Sequence, residues 1–216
     1  MERSFDTIVR EGGIGEITEK KSRFIAQIVP VTTEEEAAAF LASVKKKYWD
    51  AKHHCSAFVI GSDGRCMRSN DDGEPSGTAG RPILETLLDA GVYNAMAVVT
   101  RYFGGTLLGT GGLIRAYRDA TAEALSKCVL LKQIAGVRID VTMEYTFLGK
   151  VENIARSLEI PVYETGYGKD AEAVFYVEES LRETFLSKIT EATNGGARIT
   201  VSDPLTFGRA GEEIFP

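Results

Sequence analysis

Residues 101–115 read Arg101-Tyr102-Phe103-Gly104-Gly105-Thr106-Leu107-Leu108-Gly109-Thr110-Gly111-Gly112-Leu113-Ile114-Arg115. They join an apolar run, Asn94 to Tyr102, to a helical pattern ending near Lys127. A strand covered on both faces reads as a continuous apolar run, so Asn94–Tyr102 is expected at the centre of a sheet. The loop holds Gly104, Gly105, Gly109, Gly111 and Gly112, with Thr110 among them. Backbone N–H groups at a helix N-terminus, unshielded by side chains, can hold a phosphate or carboxylate. Arg101 and Arg115 would add charge. The alternative is architectural: glycines that permit a tight turn and close strand–helix packing. Two known phosphate motifs fail here. Gly104 and Gly109 have P-loop spacing, but the lysine that should follow is missing. In a dinucleotide fingerprint opening at Gly109, Ile114 occupies the third glycine position.

Working outward, Ser4–Arg10 and Ile14–Glu19 flank Gly12-Gly13 and read as a hairpin-like pair, with Ser22–Val29 as a third strand. Thr33 and Glu36 form a capping box before a helix over about 33–48, with Lys45-Lys46-Lys47 in its last turn. Cys55–Ile60 and Arg65–Asn70 read as a β-hairpin, and 79–90 as a helix with Ile83, Leu84, Leu87 and Leu88 inward. Beyond about 135 the order is cleaner. Gly136–Tyr145 is a strand, Thr146–Leu158 a helix, and Ile160–Tyr167 and Glu172–Val177 are strands. A second helix is capped by Ser180 with Glu183, and Ala197–Val201 is the last strand. This β-α-β-β-α-β order is the ferredoxin-like arrangement. The expected class is α+β, with domains over 1–130 and 135–205.

The 216 residues are 44% apolar and 26% charged, as in ordinary globular chains. No stretch approaches a membrane span and the N-terminus shows no apolar signal segment, so a cytoplasmic protein without membrane contact is expected. Three cysteines are too few and too scattered for a disulfide framework. The formal charge of −6 divides into −1 through Lys127 and −5 beyond it. Neither part is a basic module of the nucleic-acid type, but a local phosphate-binding patch remains open.

The loop before the second helix, Asn70-Asp71-Asp72-Gly73-Glu74-Pro75-Ser76-Gly77-Thr78-Ala79-Gly80-Arg81-Pro82, carries three carboxylates. Asp71, Asp72 and Glu74 can bind a hard cation such as Mg²⁺ or work as an acid/base pair. Alternatively Ser76 or Thr78 caps the helix and Arg81 pairs with Asp71 or Asp72. In His53-His54-Cys55-Ser56, alternation puts His53 and Cys55 on one face, and His54 and Ser56 on the other. His54 and Cys55 are candidates to line a cleft, with a Cys55–His53 pair or a Ser76–His54–Asp72 triad as nucleophilic alternatives. Two ligands do not make a zinc site, and no metal site is expected. A two-residue turn at Ser62-Asp63 would set Cys66 opposite Val59 and Cys55 opposite Asn70, which excludes a Cys55–Cys66 bridge. Lys21 and Arg23, beside Phe24, can meet phosphate or form a solvated strand end.

Asp71–Pro82, Val99–Gly105 and Leu108–Leu113 together resemble the signature of the YigZ/IMPACT family, and Lys21-Ser22-Arg23-Phe24 and His54-Cys55-Ser56-Ala57 fit the same pattern. The resemblance covers about residues 15–127. It implies a first domain folded as a ribosomal-protein-like α/β sandwich, as in the second domain of a small-subunit protein, and a ferredoxin-like second domain. Eukaryotic members are linked to translational control. The function expected is therefore a non-enzymatic, translation-associated regulator that binds RNA, the ribosome or a translation factor. The alternative is an enzyme or binder of a small phosphate-bearing ligand, with Mg²⁺ as a candidate cofactor.

Overall fold

The computed structural model describes residues 5–216, and the chain divides into a unit ending at Leu131 and a second, Lys132–Pro216. Ser4 lies outside the described residues.

The first unit contains β1 (Thr7–Glu11), β2 (Gly13–Glu19), β3 (Ser22–Pro30), α1 (Glu34–Lys47), β4 (His53–Ile60), β5 (Cys66–Asn70), α2 (Gly80–Asp89), β6 (Val92–Tyr93), β7 (Ala95–Tyr102) and α3 (Gly109–Leu125). Five strands form an antiparallel sheet in the order β2-β3-β7-β4-β5, with the apolar β7 at its centre. Alternation along β7 builds two cores. Ala95, Ala97 and Val99 pack with Phe24, Cys55, Ala57 and residues of α2 and α3. Met96 and Val98 pack with Val31, Ala37 and Val44 on the α1 side. Helix α1 starts as its capping pattern requires: the Glu36 N–H donates to Thr33 Oγ1 at 3.2 Å. The Glu36 carboxylate reaches back to the Thr32 N–H at 2.6 Å, one residue beyond the usual partner.

Two pairings differ from the expectation. Strand β1 does not form a hairpin with β2 but pairs in parallel with β6. Between them the chain passes so close to β3 that a Cβ on Gly12 would overlap the Ile28 carbonyl. The β4–β5 register is shifted by one, with Ile60 opposite Cys66 and Ser56 opposite Asn70. The connection is five residues rather than two, and Gly61 and Gly64 both take positive φ within it. The cysteines remain free.

The second unit holds most of β8 (Val129–Met143), which spans the division, then α4 (Tyr145–Ser157), β9 (Val162–Tyr167), β10 (Ala171–Glu178), α5 (Arg182–Ala192) and β11 (Arg198–Val201). The antiparallel order β9-β10-β8-β11 is the ferredoxin-like one. Val137, Ile139, Val141 and Met143 pack with Val151, Phe175, Phe185 and Ile189. Ser180 does not cap α5. Its hydroxyl donates to Glu178 within a short 3₁₀ turn, Glu179–Leu181, and the helix begins after it. Two strands beyond the expected domain end complete the unit, β12 (Leu205–Ala210) and β13 (Glu213–Phe215). β12 pairs with residues 132–136 of β8, and Phe207 joins Tyr176 and Ile214 in a small separate cluster. No helix among the described residues is long and apolar enough to cross a membrane.

Candidate functional site

The antiparallel registers place the beginnings of β3 and β4 and the ends of β5 and β7 at one end of the first sheet, with Arg23 opposite Tyr102, His53 opposite Arg101 and Ser56 opposite Asn70. The acidic loop and the glycine loop both leave from this end.

The acidic loop meets in the interior the strand and the helix that flank the glycine loop. Glu74 Oε1 accepts a hydrogen bond from Arg101 Nη1 at 2.7 Å and another from the Tyr117 hydroxyl at 2.8 Å. The Arg101 and Glu74 side chains are 6% and 3% exposed, so the pair is a buried one. The Arg101 guanidinium lies over the rings of Phe24 at 5.4 Å and Phe103 at 5.6 Å. The Cys55 thiol donates to the Asp71 carbonyl at 3.0 Å and lies 3.3 Å from the Tyr117 hydroxyl. Burial pushes this thiol up to about 12, with the neighbouring Glu74, Asp72 and Asp71 charges adding to the rise and the Tyr117 hydrogen bond opposing it. Burial likewise raises the Tyr117 phenol. A buried thiol held in this way is not a nucleophile at neutral pH. Arg101, expected to add charge for a phosphate at the glycine loop, is instead paired with Glu74 in the interior.

The acidic loop is organised by its own carboxylates. Asp71 Oδ1 accepts from the Ala79 and Gly80 N–H groups at 3.0 and 2.8 Å, and its Oδ2 from Gly77 at 2.8 Å. Asp71 thus covers the start of α2, a role the sequence reading gave to Ser76 or Thr78. Ser76 is exposed, and the Thr78 hydroxyl donates to the Pro75 carbonyl. Burial acts to raise the Asp71 carboxyl, but the three backbone donors outweigh it and hold it below its ordinary value. Asp72 is also lowered: burial opposes, and the His54 N–H at 2.7 Å and Lys45 at 3.0 Å prevail. Arg81 pairs with Glu85 one turn on, not with Asp71 or Asp72. A Mg²⁺ ion at Asp71, Asp72 and Glu74 would have to displace these donors.

The nucleophile alternatives do not form. His53 Nδ1 is 2.9 Å from the Asp72 carbonyl, whereas the Cys55 thiol donates to the Asp71 carbonyl. His54 is buried and its Nε2 meets the Tyr48 carbonyl at 3.1 Å. A carbonyl accepts only, so Nε2 carries a proton there and has no lone pair to receive one from Ser76.

The glycine loop faces outward. Gly104 is structural: its N–H donates to Ser22 Oγ at 3.1 Å, and a Cβ there would overlap the Lys21 backbone. Gly105 (φ +85) and Gly109 (φ +74) take conformations that favour glycine. Gly111 differs, since its φ is not positive and a Cβ would enter open space. Helix α3 begins with no side-chain cap and no acidic residue in its first turn. Thr110 and Arg115 are exposed, as are Phe103 and Leu107, the last at 83%. Gly112 packs against Leu108. Lys21 is exposed in the β2–β3 turn, and Arg23 is exposed and bound bidentately to Glu16 at 2.6 and 2.9 Å. The sequence reading missed Tyr117. Its signal was a tyrosine on the inward face of α3, where a phenol needs a buried acceptor.

Comparison with known proteins covers both units. Residues 20–125 match the Impact N-terminal domain, and residues 141–195 match a domain of unknown function, DUF1949. The IMPACT family member YvyE of Bacillus subtilis is 44% identical over 88% of this chain and 88% of its own. IMPACT family member YigZ of Escherichia coli is 39% identical over 68% of this chain and 74% of its own. Protein IMPACT of Mus musculus is 35% identical over 43% of this chain and 30% of its own, so that match is partial. A crystal structure of a hypothetical protein aligns over 92% of this chain and 97% of its own, at 31% identity and a TM-score of 0.57. With an identity of 44% sustained over most of both chains, this protein belongs to the IMPACT family.

Proposed function

We propose that this protein is a non-catalytic, translation-associated binding protein whose first unit takes hold of RNA phosphates at the start of α3. The carrying observation is the uncapped N-terminus of α3: no side chain caps it, no acidic residue stands among Gly109, Thr110, Gly111 and Gly112, and Arg115 stands exposed further along the helix. Exposed N–H groups and the helix dipole together favour an anion. Two further points support the reading. The reactive-looking groups nearby are committed to the interior, Glu74 with Arg101 and Tyr117, and Cys55 beneath them. The family resemblance links eukaryotic members to translational control. At a formal charge of −6 any such contact is local and salt-sensitive.

Filter retention of ribosomes and of RNA at low and moderate salt tests this. Retention at low salt is expected from the wild type and is expected to be lost in Gly111→Asp, whose carboxylate would occupy the same N–H groups. No retention at either salt would refute it. A phosphorylated metabolite would meet the same donors, so a thermal-shift screen of nucleotides and sugar phosphates separates that reading. A shift abolished by Gly111→Asp, without RNA retention, would favour the small ligand.

A further inference from the structure

Trp49 is the single tryptophan of the chain and is 81% exposed. Large aromatic side chains are normally well buried, and Tyr48 and Tyr102 nearby are at least partly so. The indole is not on a loose segment. The Tyr48 N–H donates to Val44, and the Tyr48 carbonyl accepts from Ala51 at 3.0 Å and meets His54 Nε2 at 3.1 Å. The next residue, Asp50, accepts from the Tyr102 hydroxyl at 2.7 Å. The turn from α1 into β4 is therefore fixed to β7 on one side of Trp49 and to β4 on the other.

The charge around this turn is opposite to that of the whole chain. Lys46 and Lys47 end α1 and Lys52 immediately precedes β4, and all are exposed. Among the described residues none of the three has a carboxylate partner, and Lys47 lies over the Tyr48 ring at 5.1 Å. The local carboxylate, Asp50, is taken by Tyr102. Arg23 lies 6.0 Å over the Tyr102 ring. By strand alternation Arg23 and Tyr102 face the α1 side of the sheet, whereas Arg101 faces α3. This surface is thus separate from the glycine loop, although it belongs to the same end of the sheet.

We infer that this surface binds single-stranded RNA, with Trp49 stacking on a base and Lys46, Lys47 and Lys52 on flanking phosphates. An exposed aromatic on a fixed turn, with cations on both sides of it in sequence, is the combination that single strands require: the base supplies a π face and the backbone a regular run of charge. An acidic protein would satisfy the lysines but leaves the exposed indole without a matching partner. The inference rests on the RNA reading proposed above and adds a second contact to it. Because the turn that carries the indole is held before binding, little backbone ordering is lost on contact.

Trp49 reports on itself. The full chain is titrated with a labelled oligouridylate of about 12 nucleotides, following tryptophan emission and label anisotropy. Quenching with a matching rise in anisotropy is expected. Three phosphate contacts predict that affinity falls about twentyfold between about 50 and 200 mM salt. Trp49→Ala, an exposed substitution whose folding is checked by thermal unfolding, is expected to weaken binding about tenfold. K46A/K47A is expected to flatten the salt dependence. Binding that leaves emission unchanged, or that Trp49→Ala does not weaken, overturns the inference. If Gly111→Asp alone abolishes binding, the glycine-loop reading stands and this one falls. If the oligonucleotide does not bind at about 50 mM salt, both fall. Quenching by polyglutamate but not by oligouridylate would overturn it in favour of an acidic protein partner.

Discussion

Glu74 is the residue on which the interior of the first unit turns. Its carboxylate accepts from both Arg101 and Tyr117 in a place almost closed to water. Removing one member of a buried ion pair leaves the other charge unmatched, which typically costs about 3–5 kcal/mol. Glu74→Gln is therefore expected to lower the urea midpoint steeply, and Glu74→Gln/Arg101→Met to recover part of the loss. Cys55 is expected to resist iodoacetamide in the native protein at pH 8 and to react once unfolded. With its thiol at about 12, roughly one molecule in ten thousand carries the thiolate there. Mass spectrometry of peptides containing Cys55, Cys66 and Cys128 reads this directly. Asp71 sets a pH dependence. Its folded value is depressed, so it contributes stability that is fully present above its ordinary value of 3.8 and is lost as pH falls through the folded value. Chemical denaturation is expected to show the midpoint declining below about pH 4, with a smaller decline in Asp71→Asn. Glu74 and Arg101 each stood out in the sequence as candidates, yet nothing in it showed that they touch. They are 27 positions apart and meet because β7 and the loop after β5 share one end of the sheet.

At the scale of elements, the glycine loop separates into parts with different duties. Gly104 is enclosed by the Lys21 backbone, whereas Gly111 has open space beside it. Gly104→Ala is expected to destabilise strongly or prevent folding. Gly111→Ala is expected to be neutral or to stabilise by about 0.5–1 kcal/mol, because it relieves helical glycine entropy without a clash. Thermal unfolding of the two variants measures the contrast. No ranking of these glycines was legible in the sequence, since φ and enclosure are tertiary properties. Periodicity located most helices and strands, and the strand order of the second unit was legible because each element carries its own pattern. The pairing of β1 was not, because it depends on how closely the chain can pass β3. The β4–β5 register slipped because a five-residue loop with two left-handed glycines replaced the two-residue turn. β12 and β13 went unread because Leu205–Ala210 is short and interrupted by Gly208.

For the whole molecule, net charge is a poor guide to the surface that matters. The formal −6 conceals one sheet end where Lys46, Lys47 and Lys52 have no carboxylate partner among the described residues and where α3 opens uncapped. Composition excluded a broadly basic nucleic-acid module and left a local patch open, and the two contacts proposed above lie at one end of the sheet but on different sides of it. Buried and exposed groups at this end divide accordingly, with Glu74, Arg101 and the Cys55 thiol inside and the first turn of α3 and the three lysines outside. The central claim concerns the outside. Backbone amide chemical shifts recorded while RNA is titrated into the labelled full-length protein test it most directly. Perturbations are expected to centre on Gly109, Thr110, Gly111 and Gly112, and Gly111→Asp is expected to abolish them. Binding that leaves these four amides unmoved would contradict it.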